Sequence, residues 1–138
     1  MLGAPRTSAL MAASVVRLGT ARLRGEGLRI GTVRRPPRGV PKANFASGNW
    51  YDVWLPELSP SEATVKLGLK AADDVEWRKF TRQYEKEMSA PGPGRTLDLL
   101  AALSKQTDFS VGCYCANESR CHRSILRALL KGRGASLR

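Results

Sequence analysis

The segment FSVGCYCANESRCHRSILRALL, residues 109–130, determines the fold that we expect for this chain. Small and apolar side chains alternate over residues 109–115, a pattern of period two that predicts a buried strand. A short loop at residues 116–119 precedes a helix that runs to about Lys131, and Gly132 ends it. A strand, a tight loop and an amphipathic helix in this order are typical of an α/β domain.

The helix of this segment has two distinct sides. Cys121 and His122, in its first turn, lie on the broad apolar side, which we expect to be buried. A narrow stripe of basic residues lies opposite, and we expect it to face solvent or a polyanion. The stripe consists of Arg120, Arg123, Arg127 and Lys131.

Cys115 stands at the end of the predicted strand, just before the start of the helix. The backbone N–H groups and the dipole at a helix N-terminus favour anions, and they also favour the thiolate form of a nearby cysteine. We therefore expect Cys115 to act as a nucleophile or as part of an anion cradle, with His122 as a proton carrier. Ser119, Arg120 and Arg123 are the neighbouring candidates for binding the anion.

The same segment also contains a set of metal-binding residue types. The pattern C-x-C-x5-C-H comprises Cys113, Cys115, Cys121 and His122, and four such donors could bind a structural zinc ion. Adjacent residues of a helix point about 100° apart, which disfavours convergence of all four on one ion. We therefore expect no cofactor, with zinc as the alternative. A third interpretation makes Cys113 a small core residue.

A second basic loop precedes this segment in the chain. Residues 28–33 predict a short strand, and the proline-rich loop after it carries Arg34 and Arg38. Because parallel strands end at one edge of a sheet, we expect these arginines to meet the Cys115 loop. With helices predicted at about 73–88 and 96–105, the fold class is a small α/β domain with a few-stranded, mainly parallel sheet flanked by helices. The expected function is a phosphate-, anion- or nucleotide-directed site, and the residues leave open whether the protein is an enzyme.

The net charge of +11 is concentrated toward the two ends of the chain. Residues 1–50 carry +8, residues 51–112 carry −2, and residues 113–138 carry +5. This distribution favours a phosphate-bearing small molecule or a nucleic acid as partner, so a non-catalytic nucleic-acid-binding domain is the alternative function. The sequence has no apolar run of 18 residues, so we expect no membrane partner.

Composition predicts three regions. Residues 1–27 are basic and rich in small residues, and we expect a flexible extension there, either an organellar leader or a stretch preceding a start at Met11. We expect the folded domain at residues 28–132 and a disordered tail at residues 133–138. Three cysteines within nine residues do not form a secreted disulfide framework, which favours a reducing compartment, the cytoplasm.

Several ordered motifs between Ile30 and Leu130 resemble the YeaO-like family of bacterial domains of unknown function (DUF488), in its subgroup with a Cys-His-Arg ending. The resemblance implies a small cytoplasmic α/β domain whose strands lead into loops that carry arginine and cysteine, and it implies no established reaction. The motifs are RRPPRGVPK at residues 34–42, YDVWLPELSPS at 51–61, W-x2-F-x3-Y-x3-M from Trp77, LDLLAALS at 97–104 and FSVGCYC-x5-CHRS-x-L at 109–126.

Overall fold

The fold is a four-stranded parallel sheet with four helices, which confirms the expected α/β class. The computed structural model describes residues 11–138. The strands are β1 (Ala13–Arg17), β2 (Leu28–Gly31), β3 (Val53–Trp54) and β4 (Phe109–Cys113), and the helices are α1 (Glu62–Lys70), α2 (Asp74–Met88), α3 (Pro91–Leu103) and α4 (His122–Gly132). The strand order is β1-β4-β2-β3, with every neighbouring pair parallel.

β4 is the central strand, and all five of its residues are buried. Val111 aligns with Val15 of β1 on one side and with Ile30 of β2 on the other, so β4 is hydrogen-bonded along both edges. Burial on both faces is typical of parallel sheets. The strand ends at Cys113, two residues before the predicted end. Its last residue aligns with Arg17, the last residue of β1.

The two ends of the described chain pair with each other, and the flexible extension and disordered tail expected there are wrong. Ala13 in β1 is completely buried, and its N–H donates to the backbone oxygen of Ser136 at 2.9 Å. The N–H of Arg138 donates in turn to the oxygen of Ala13, also at 2.9 Å. The folded unit therefore includes β1 and the last three residues, while residues 1–10 of the expected extension lie outside the described part of the chain.

The helices follow their local signals with two exceptions. Asp73 caps α2 by accepting a 2.8 Å hydrogen bond from the N–H of Glu76, so α2 matches the predicted helix. α3 begins at Pro91 and not at Thr96, because a proline in the first turn has no N–H to leave unpaired. α1 was not predicted, and Ser61 caps it. No helix within residues 11–138 is long and apolar enough to cross a membrane.

A buried ion pair accounts for two charges of the N-terminal region. Arg29 is completely buried, and its Nε donates to the carboxylate of Glu26 at 2.7 Å. Glu26 also accepts a 2.6 Å hydrogen bond from the hydroxyl of Ser110. Burial alone would raise the pKa of Glu26, but the hydrogen bonds from Arg29 and Ser110 lower it to about 2. This pair is therefore part of the core and takes no part in binding polyanions.

Candidate functional site

A cleft of about 670 Å³ opens at the carboxyl edge of the sheet, and we call it the basic cleft. It lies just beyond the carboxyl ends of β1, β4 and β2, and β4 stands between β1 and β2 in the sheet. Open α/β sheets bind their ligands at the carboxyl ends of strands, where the strand order reverses. Its lining includes three arginines and no carboxylate. The lining residues are Arg17, Leu18, Gly19, Thr20, Arg35, Pro36, Pro37, Arg38, Trp50 and Tyr114.

Two aromatic side chains form part of the wall of the basic cleft. Trp50 and Tyr114 meet edge to face, with ring centroids 6.0 Å apart. The Tyr114 hydroxyl donates to the backbone oxygen of Arg35 at 2.8 Å, which ties the loop after β2 to the end of β4. Burial raises the pKa of Tyr114, so this donor stays protonated. Gly19 is required beside Trp50, because a Cβ there would lie 2.8 Å from the indole ring.

The three arginines of the cleft differ in how they are engaged. Arg17 donates from Nε to the backbone oxygen of Tyr114 at 3.1 Å. Arg35 forms an ion pair with Glu62 on α1, and both side chains are mostly exposed, so this pair is weak. Arg38 is exposed and has no hydrogen bond or ion pair to any other residue between 11 and 138. Arg38 can therefore bind an anion without giving up an existing contact.

Arg34, the other arginine expected in an anion site, has a structural role. Its Nε and Nη2 both donate to the backbone oxygen of Pro60 at 3.1 Å, and Nη2 also lies 3.3 Å from the oxygen of Ser59. Arg34 lines a separate hollow along α1, which it shares with Arg35 and Arg38. Of the two arginines predicted for the anion site, Arg38 lines the basic cleft and Arg34 does not.

Cys115, Arg120 and His122 line a smaller space of about 100 Å³, which we call the inner hollow. Arg120 forms a 2.7 Å ion pair with Asp74, and its guanidinium carbon lies 5.5 Å from the centre of the Trp77 ring. The inner hollow contains the expected cysteine, histidine and one expected arginine, but not Arg34 or Arg38. The single pocket predicted from the sequence is therefore divided into separate spaces.

Ser119 turns toward its own loop. Its N–H donates to the side-chain oxygen of Asn117 at 3.0 Å, and its hydroxyl donates to the same atom at 2.7 Å. This short-range pattern shapes the turn before α4. The N–H and the hydroxyl of Ser119, a residue expected to bind the anion, therefore both donate to Asn117.

Cys113, Cys121 and His122 form a compact buried cluster. They are 1%, 2% and 8% exposed, and their ligand atoms lie within 4.8 Å of one another. The structure joins Cys113 and Cys121 in a disulfide. The predicted burial of Cys121 and His122 is confirmed, whereas Cys115 is exposed and outside the cluster.

The imidazole of His122 is fixed by contacts on both ring nitrogens. Nε2 lies 2.7 Å from the backbone oxygen of Thr32, and a carbonyl can only accept, so Nε2 carries the proton. Nδ1 then has its lone pair directed toward the Cys121 sulfur, 3.8 Å away. Burial lowers the pKa of His122 to about 4, so the ring is neutral near pH 7. As a proton carrier it would have to act through Nδ1.

Arg123 is only 4% exposed, so its expected place on a solvent-facing stripe is wrong. Its Nη2 donates to the backbone oxygen of Cys115 at 2.6 Å, while Nε has no hydrogen-bond partner among residues 11–138. Burial lowers the pKa of Arg123, the nearby Glu118 and Cys115 raise it, and Arg17 lowers it again. The loop between β4 and α4 folds over the first turn of the helix and covers this side chain.

The residues of the basic cleft that sequence reasoning missed are Arg17, Arg35, Trp50 and Tyr114. Arg17 was expected to lie in a flexible extension. A usable signal was the position of Arg17 at the end of the short, mostly buried stretch that forms β1, since a strand end is where a parallel sheet binds its ligand.

The model of the family DUF488-N3a, described as the active DUF488-N3 subclade, matches residues 13–134. This match includes β1 and extends almost to the C-terminal residues that pair with it. No curated protein and no solved structure matches the chain significantly.

Proposed function

The chain belongs to the DUF488 family, and we propose that this member binds a phosphate-bearing small molecule with an aromatic ring, of the nucleotide class, in the basic cleft. The observation that carries this proposal is the lining of the cleft. Three arginines and two aromatic rings meet there at the carboxyl edge of a parallel sheet, with no carboxylate in the lining. Guanidinium groups match phosphate oxygens in pairs, which makes arginine well suited to this role.

The phosphate group would bind between Arg38 and Arg17. With respect to residues 11–138, Arg38 has all its donors available, and Arg17 uses only Nε, which donates to Tyr114. The buried guanidinium of Arg123, which donates to the backbone oxygen of Cys115, adds a further positive charge close to Arg17. Such a charge acts with little screening because it is buried, so it strengthens the potential in the cleft.

The ring of the ligand would pack against Trp50 and Tyr114. These side chains stand edge to face and are held in place, Trp50 against Gly19 and Tyr114 through its bond to Arg35. A volume of about 670 Å³ is within the range of about 300–1,000 Å³ that small-molecule sites occupy. The cleft therefore has room for both a ring and a phosphate.

Chemistry on the bound ligand would involve Cys115. The description of the matched subclade as active supports a reaction and not binding alone. Cys115 is the exposed thiol of the described chain. It lines the inner hollow and not the basic cleft, but it follows Tyr114 of the cleft directly in the sequence, and its backbone oxygen accepts a hydrogen bond from Arg123. The change Cys115→Ser separates the two roles, because it should abolish turnover of a ligand and leave its binding intact.

The alternative, a nucleic-acid-binding surface, has less support from the basic stripe of α4 than expected. Arg123 is buried, Arg120 pairs with Asp74, and Arg127 pairs with Glu118 at 2.9 Å. Much of that stripe is therefore neutralised within the protein. A nucleic-acid complex would lose affinity steeply between about 50 and 200 mM salt, in proportion to the number of phosphates contacted.

The test is a binding screen on the full chain. Inorganic phosphate, ribose 5-phosphate, the nucleoside monophosphates and unphosphorylated nucleosides are compared by thermal shift and then by titration calorimetry. We expect a nucleoside monophosphate to bind more tightly than either its nucleoside or ribose 5-phosphate, because only the monophosphate uses both halves of the cleft. Equal binding of nucleoside and monophosphate, or binding only to long RNA or DNA, would overturn the proposal.

A further inference from the structure

The buried cluster of Cys113, Cys121 and His122 lies outside the basic cleft, and the function proposed above does not use it. We propose that these three residues bind a Zn²⁺ ion when the two cysteines are reduced, with the fourth coordination position open to the inner hollow. This inference is independent of the ligand that the basic cleft takes.

The distance between the Cys121 sulfur and Nδ1 of His122 fits two ligands of one tetrahedral zinc ion. Zinc binds thiolate sulfur at about 2.3 Å and imidazole nitrogen at about 2.0 Å, so two such ligands at a tetrahedral angle stand about 3.6 Å apart. The Cys121 sulfur and Nδ1 of His122 are 3.8 Å apart, and all three donor atoms of the cluster lie within 4.8 Å of one another. After reduction of the disulfide, the sulfurs of Cys113 and Cys121 would have to move apart to share the ion with Nδ1 of His122.

His122 is oriented as a metal ligand usually is. Histidine ligands donate their second ring N–H to a carboxylate or a backbone carbonyl, which fixes the ring and directs the other lone pair at the metal. Nε2 of His122 donates to the backbone oxygen of Thr32 at 2.7 Å, and Nδ1 is left directed at the sulfur of Cys121.

The backbone at the two cysteines also suits a shared ion. The Cα atoms of Cys113 and Cys121 are 7.9 Å apart, whereas most disulfides join Cα atoms about 4.4–6.8 Å apart. A zinc ion between two thiolates allows the Cα atoms to stand farther apart than a disulfide does, because two zinc–sulfur bonds of about 2.3 Å each then separate the sulfurs. Zinc would bind the reduced pair, and the disulfide between the same sulfurs is the state that excludes it.

Three protein ligands and one open position are the arrangement of zinc sites that bind exchangeable ligands. The inner hollow is lined by Cys121 and His122, and by Cys115 and Arg120, so it gives the ion a path of entry. Cys115 is exposed and is not one of the clustered donors. The fourth position therefore falls to water or a small anion.

The experiment uses the full chain kept reduced with a phosphine and freed of metal with a chelator. After incubation with Zn²⁺ and desalting, we expect one zinc per chain by elemental analysis. With Co²⁺ in place of zinc, we expect the visible bands of a tetrahedral site and a charge-transfer band from thiolate. Cys121→Ser and His122→Gln should each reduce the bound metal to well below one per chain. Cys115→Ser is the matched control and should keep one.

Each contrary result overturns the proposal. If alkylation shows that all thiols of the reduced wild-type chain are free and it still takes up no zinc or cobalt, the site does not exist, and this result needs no variant to fold. Retention of one zinc by Cys121→Ser, or its loss in Cys115→Ser, would show that the ligand set is wrong. Because no phosphate ligand is present, these results are separate from those of the binding screen.

Discussion

Arg123 donates a 2.6 Å hydrogen bond from Nη2 to the backbone oxygen of Cys115, and its buried Nε has no hydrogen-bond partner in the part of the chain that the structure describes. Natural proteins rarely leave a buried donor unsatisfied, because doing so costs about 1–3 kcal/mol. This guanidinium lies beside the loop that carries the exposed Cys115 and close to Arg17 of the basic cleft. It connects the end of β4 with the start of α4.

Arg123→Met tests whether this guanidinium serves binding or folding. Methionine has a similar length and no charge, and replacing a poorly satisfied buried charge by an apolar side chain is often neutral for stability. We expect the free energy of unfolding in urea to change by less than about 1 kcal/mol. We expect the affinity for a nucleoside monophosphate to fall by about tenfold or more. A loss of several kcal/mol in stability with unchanged affinity would assign Arg123 a structural role.

Trp50→Leu tests the aromatic wall of the basic cleft. Stacking of a base on an aromatic side chain contributes about 1–3 kcal/mol, so we expect the affinity for a nucleoside monophosphate to fall about fivefold to a hundredfold. Affinity for inorganic phosphate should stay unchanged, because the arginines remain, and this serves as the internal control. Equal losses for both ligands, measured by calorimetry, would show that Trp50 only supports the fold.

The buried pair of Glu26 and Arg29 predicts a defined acid sensitivity. The pKa of Glu26 is lowered from 4.5 to about 2, so its contribution is fully present above pH 4.5 and is lost as the pH falls toward 2. The shift corresponds to about 3 kcal/mol of unfolding free energy. Glu26→Gln should remove this pH dependence and should cost about 3–5 kcal/mol at pH 7, because it leaves Arg29 buried and uncompensated.

Asp98→Asn is the matched control for that experiment. Its carboxylate pairs with Arg133 at 3.0 Å, but the Asp98 side chain is 71% exposed. Urea unfolding of this variant should differ from wild type by less than about 1 kcal/mol at pH 7. If Glu26→Gln is no more costly than Asp98→Asn, the buried pair does not stabilise the fold as described.

His122 is the only histidine of the chain, so its state can be read without assignment by mutagenesis. We expect nitrogen NMR of the metal-free protein to show the neutral form with the proton on Nε2, because Nε2 donates to Thr32. A proton on Nδ1 would contradict the described contacts, and it would leave Nδ1, the nitrogen that faces Cys121, without a lone pair for a metal.

Parts of the fold were predictable because their signals are local. α2 has a capping aspartate and a buried stripe, and both appear in a short stretch of sequence. β1 has five residues and derives its stability from β4, to which it pairs in parallel across more than ninety positions of the chain. Pairing between strands so far apart in the chain gives no signal in the local sequence. For this reason the sequence predicts a flexible extension in place of β1 and a tail in place of the paired C-terminal residues.

For the site, too, local features could be predicted from the sequence and long-range contacts could not. Helical periodicity predicted correctly that His122 is buried, because His122 lies in the first turn of α4. The predicted burial of Cys121 is also correct, although Cys121 is the extended residue before α4 and not part of the helix. Helical periodicity was wrong for Arg123, since burial of this side chain depends on the loop that covers it. The basic cleft was missed as a unit because Arg17 and Tyr114, which bond at 3.1 Å, are 97 residues apart in sequence.

The most direct test of the basic cleft is calorimetric titration of a nucleoside monophosphate into wild type, Arg38→Gln and Arg95→Gln. Arg38 has no partner within the described residues, so its loss should not disturb the fold, and Arg95 is an exposed arginine outside the cleft. We predict that Arg38→Gln weakens binding by about tenfold or more, while Arg95→Gln binds like wild type. Identical affinities of Arg38→Gln and wild type, or equal losses in both variants, would contradict a phosphate site in the basic cleft.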